Sequence, residues 1–135
     1  MAVNEFTSFT AVDAPKCDNK RDELVTGNKT LVAGDSGKTF FVKRGTSIFS
    51  LPATAVGLSY DFAYIGGDAG GQIQVSPVAA DGIAAAGSAV VNKDVILATA
   101  TIKKGDWLRV TSGVGATGVT AWFVSSHRGV LTKEA

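Results

Sequence analysis

The chain has 135 residues, of which 45% are hydrophobic, 8% aromatic and 19% charged, with a formal net charge of +1. That length suits one domain able to bury about two-thirds of the surface its unfolded chain exposes. So small a net charge sets up no global field to gather nucleic acid or an anionic membrane, and a charged share below the usual quarter leaves wall for protein contacts.

Residues 1–28 read as an extended N-terminal arm, because polar and apolar residues mix there without a period of strand or helix. Phe6, Phe9, Val12, Leu24 and Val25 are its large anchors, and Asn19–Val25 has room for a short helix. The charges Lys16, Asp18, Lys20, Arg21, Asp22 and Glu23 are of mixed sign and form a solvated run. Cys17 stands alone, which excludes an intrachain disulfide, and Cys17 with His127 falls short of the four ligands of a structural zinc site. Met1–Thr7 has neither a charged n-region nor an apolar h-region, so synthesis and use in the cytosol are expected. Val78–Val91 is bland but carries Asp81 and is too short to span a bilayer.

Strand signals begin at Thr30. Thr30–Ala33 is a short strand, Gly34–Gly37 a turn, and Lys38–Lys43 a second strand. Arg44-Gly45 turns the chain into Thr46–Leu51, with Ile48 and Phe49 on opposite faces, and Pro52 ends that strand because it has no N–H for a ladder. Leu58, Tyr60, Phe62 and Tyr64 then alternate with small or polar residues, which places four large side chains on one face. Gly66–Gly71 reads as a flexible loop. Gln72–Ser76 alternates again with Ile73 and Val75 inward, and Asp81-Gly82 favours a tight turn. Val95–Ile102 is apolar almost throughout, as a strand covered on both faces is. Trp107–Thr111 and Val119–Ser125 follow, separated by a glycine-rich loop. Close-set strands with no amphipathic helix after residue 28 indicate an all-β chain, a single β-sandwich or β-barrel domain (jelly-roll-like) over residues 29–135.

Chemical motifs are weak. Gly34–Thr39 looks like a phosphate loop, but Val32 occupies the place of its first glycine and a strand, not a helix, follows. Asn28-Lys29-Thr30 fits the glycosylation pattern without a secretory signal to use it. His127, with Ser125, Ser126 or Asp106, lacks the spacing of a nucleophile, base and orienting group. Asp61, Asp68, Asp81, Asp94 and Asp106 are scattered and form no calcium loop. No catalytic residue, cofactor or metal is expected. Leu58, Tyr60, Phe62, Tyr64, Trp107 and Trp122 are read as core or inter-subunit packing, in preference to an aromatic platform, since no basic groove accompanies them.

The order Ser36-Gly-Lys-Thr-Phe40, Leu51-Pro-Ala53, Gly57-Leu-Ser-Tyr-Asp-Phe62, Gly105–Gly113 and Trp122 resembles the small head decoration (cement) proteins of tailed bacteriophages and related β-rich head and fibre modules. The similarity covers residues 30–125. It implies a non-enzymatic subunit, commonly a homotrimer, on the outer capsid surface of the virion, made in the host cytoplasm. Such a subunit binds the major capsid protein and ties capsomers together, with no role for nucleic acid or membrane. Phe6, Phe9 and Val12 are then the expected arm anchors on the capsid or a neighbouring subunit. The competing readings are a receptor- or glycan-binding module of a phage head or tail fibre, and a small hydrolase.

Overall fold

The computed structural model describes residues 21–85, 89–113 and 118–135. Phe6, Phe9 and Val12 lie outside them. The described chain is all-β, with two sheets face to face. In chain order the strands are β1 (Asp22–Val25), β2 (Lys29–Thr30), β3 (Thr39–Val42), β4 (Gly45–Ser50), β5 (Ser59–Tyr64), β6 (Gly71–Ser76), β7 (Ile83–Ala84), β8 (Val95–Leu97), β9 (Trp107–Ser112), β10 (Trp122–Arg128) and β11 (Leu131–Lys133). The larger sheet runs β1-β3-β5-β9-β10-β7, and the smaller β11-β8-β6-β4-β2.

The expected sandwich is present, and its wiring has a particular form. The chain crosses from one sheet to the other after each of its first six strands, so β1, β3 and β5 pair in parallel while β2, β4 and β6 do the same opposite them. Likeness to a jelly roll stops there, since that architecture is antiparallel. Parallel neighbours need a long crossover, and here the opposite sheet's strand supplies it. Three coils therefore stack on one another, and antiparallel β9, β10, β8 and β11, with β7 parallel to β10 at the edge, complete the two sheets.

Alternation decides what lies between the sheets. Tyr60, Phe62 and Tyr64 of β5 are fully buried and Leu58 nearly so, as the spacing predicts. Phe40 of β3 is the register partner of Phe62, and Phe49 reaches both from the other sheet, with ring centroids 5.6 Å from Phe40 and 4.6 Å from Phe62. Trp122 is fully buried, 5.9 Å from the Tyr60 ring. Each such side chain contributes about 1.5–3 kcal/mol on burial. The two tyrosines also bury their hydroxyls with partners: Tyr60 donates to the Val32 carbonyl at 2.8 Å and Tyr64 to that of Gly67 at 2.6 Å.

Several expectations are corrected. Asp22–Val25 is an edge strand of the larger sheet, not a helix. The strand expected over Thr30–Ala33 is confined to Lys29–Thr30, and the expected Gly34–Gly37 turn is entered by a 3-10 helix at Ala33–Asp35. The Val95–Ile102 run pairs only over Val95–Leu97, with Ile96 half-buried. The last long strand begins at Trp122 and continues through His127 and Arg128, and β11 follows it. Trp107 is outside the core: it is 37% exposed, on the outer side of β9, while Leu108 and Val110 are buried, so of its two expected roles only packing between subunits is left open.

Candidate functional site

The outer face of the larger sheet is built by the same alternation that fills the core. With Leu108 and Val110 inward, Trp107, Arg109 and Thr111 point out. Register then lays out the neighbours, because paired residues on adjacent strands share a face. Leu24, Phe41, Ala63, Trp107 and Arg128 form one row across five strands. The next row is Asp22, Thr39, Asp61, Arg109 and Ser126.

A shallow depression of about 330 Å³ opens between these rows, lined by Thr39, Asp61, Ala63, Gly105, Trp107 and Arg109, with Phe62 beneath. Asp61 and Arg109 are locked by two hydrogen bonds, from Arg109 Nε to Oδ1 at 2.6 Å and from Nη2 to Oδ2 at 3.0 Å. The contact with Asp61, through hydrogen bonds and charge, raises the pKa of Arg109 above its ordinary value. One wall is thus a charge-neutral polar pair, and the lining beside it is aromatic through Trp107 and Phe62. Gly105, at φ +94°, and Ala63 add almost no side chain over the indole.

The two ends of the sandwich differ. One end gathers the loops that leave β2, β4 and β6 and enter β3, β5, β8 and β10. There Val32, Val56, Val78, Val90, Val91 and Val119 are exposed, Val56 most of all at 74%. The opposite end carries exposed Lys43, Arg44, Lys103, Lys104 and Arg128. Among the described residues Lys103 meets Asp68 at 3.7 Å, and the side chains of the other four form no ion pair.

The motifs weighed in the sequence resolve as structural parts. Gly34–Thr39 leads from the 3-10 turn into β3, and Lys38 there bonds Asp35 at 2.9 Å. The Asn28 side chain accepts the Ile48 N–H at 3.1 Å. His127 is exposed on β10, while Ser125 shares a hydrogen bond of 2.9 Å with Thr111. Asp106 is buried and accepts the Lys103 N–H. Among the described residues no three His, Cys, Asp or Glu side chains gather as metal ligands. Leu58, Tyr60, Phe62, Tyr64 and Trp122 belong to the core and Trp107 to the surface. Sequence reasoning missed Arg109 and Asp61, although the outward alternation Trp107, Arg109, Thr111 was a signal for the first. Comparison with family models, with curated proteins and with solved structures gives no significant match.

Proposed function

We propose that the chain is a non-enzymatic virion structural protein that decorates an icosahedral phage capsid on its outer surface and stabilises it by bridging capsomers. The observation that carries this reading is the valine-rich loop end. Clustered exposed apolar side chains mark contact surfaces, and these valines stand on loops that a packed sandwich holds in place. The motif order shared with phage decoration proteins points the same way. The partners are the major capsid protein and further copies of the chain, arranged as a trimer. Each contact is ordinary in strength, and repetition over a shell makes the sum large.

Co-sedimentation with capsids of the parent phage tests the proposal. The full chain is expected to pellet with shells. A Val56→Asp, Val119→Asp double variant is expected to stay in the supernatant while keeping its far-ultraviolet spectrum. Removal of residues 1–14, with Phe6, Phe9 and Val12, is expected to weaken pelleting as well. A full chain that stays in solution, or variants that pellet like it, overturns the proposal.

A further inference from the structure

We infer that the Trp107 depression is a second binding surface, and that it takes an acidic saccharide, a sugar ring carrying a carboxylate or a phosphate. It lies on the sheet face, toward the cationic end and away from the valine loops, so it stands independently of the capsid reading.

Trp107, 37% exposed and lining a depression of about 330 Å³, offers an apolar ring partly open to water. Its register neighbour Ala63 and the lining Gly105 are too small to cover it. A pyranose presents a flat patch of C–H groups on one side, and stacking that patch on an aromatic ring buries apolar surface of both. The polar wall matches the ring's edge. Asp61 and Arg109 hold each other through Nε and Nη2, so their positions are set before a ligand arrives. Each carboxylate oxygen keeps acceptor capacity for a hydroxyl, and Nη1 of Arg109 remains a donor outside that pair.

The acidic substituent follows from the rim. Arg128 stands beside Trp107 in the strand register, and Lys104 adjoins Gly105, which lines the depression. Neither side chain forms an ion pair among the described residues, although the Lys104 N–H donates to the Asp68 carboxylate at 3.3 Å. A charge-assisted hydrogen bond from Arg128 to an anion is stronger than one to a neutral hydroxyl. Single-stranded DNA would also stack on an indole. It lacks the ring hydroxyls that would donate to the Asp61 carboxylate.

The two tryptophans provide the assay, since Trp122 is fully buried and Trp107 exposed. In the full chain, acrylamide should quench one emission component and spare the other. Oligogalacturonate (carboxylate) and a phosphomannan oligosaccharide (phosphate) are the probes, with methyl-esterified oligogalacturonate and a short oligothymidylate as comparisons. At least one acidic sugar is expected to protect Trp107 from quenching, and which one does so identifies the acid group. The ester, and an Arg128→Gln variant, are expected to bind about tenfold more weakly. Trp107→Ala should abolish saturable shifts of the Arg109 Nε–H signal and leave capsid co-sedimentation unchanged. The inference is overturned by absence of protection at millimolar sugar, by ester and acid binding alike, or by tighter binding of oligothymidylate.

Discussion

Asp35 is 8% exposed and accepts hydrogen bonds from Lys38 Nζ at 2.9 Å and from the Val32 N–H at 3.1 Å. Burial alone would raise its pKa, but these bonds and the nearby charges of Lys38 and Lys29 outweigh it and hold the pKa below the ordinary 3.8. A carboxyl group depressed in the folded state stabilises the fold above its unfolded pKa and loses that contribution as pH falls through the folded value. Acid titration of the melting temperature should therefore show a decline beginning near pH 4, smaller in Asp35→Asn. Tyr60 works at the other limit. Burial, and then the Asp35 carboxylate, raise its pKa above 10.0, so its contribution is complete below that pH and fades as pH climbs through the folded value. Tyr60→Phe removes the bond to the Val32 carbonyl and should cost about 1 kcal/mol in denaturant unfolding. The same change should remove part of the alkaline decline.

At the scale of elements, the loop 66–71 shows how composition can mislead. Its glycines look like flexibility, yet they wrap the Tyr64 ring. A Cβ on Gly66 would lie 2.5 Å from Tyr64 Oη and collide with the Lys43 carbonyl, whereas one on Gly67 would touch nothing within 4 Å. Gly66→Ala should lose about 2 kcal/mol or more through overpacking. Gly67→Ala should be near neutral, and chemical denaturation of the pair checks both. β5 was legible because one face of it is wholly core, so alternation survives in full. β1 was not: it is a short edge strand with Leu24 58% exposed and Glu23 paired to Lys29 at 3.1 Å, which leaves only Val25 as an inward mark. The stacking of coils was hidden for a related reason. Asp22, Thr39 and Asp61 stand in register at unequal sequence intervals, so no fixed repeat length exists to be found. Trp107 was grouped with core or inter-subunit packing by residue type, although its neighbours Leu108 and Val110 had already claimed the inward face of β9.

For the molecule as a whole, the sandwich separates a packed interior from surfaces of unlike chemistry. All-β class and a sandwich-or-barrel layout followed from strand spacing, because each half-buried strand records its own orientation. The choice of outward partners depended on register between strands far apart in sequence, which no local pattern encodes. Asp61 and Arg109 meet across β5 and β9 for that reason. Replacing both by Ala should leave the melting temperature within a few degrees, since an exposed ion pair contributes about 0.2–1 kcal/mol. Native mass measurement is expected to show trimers, and a strictly monomeric chain at high concentration would weigh against the capsid reading.

The unlike ends have an electrical corollary. If copies are held by their valine loops, each stands the same way up, and Lys43, Arg44, Lys104 and Arg128 all face the medium. A coated particle would then migrate less rapidly toward the anode than a bare one, with the difference shrinking as added salt shortens the screening length.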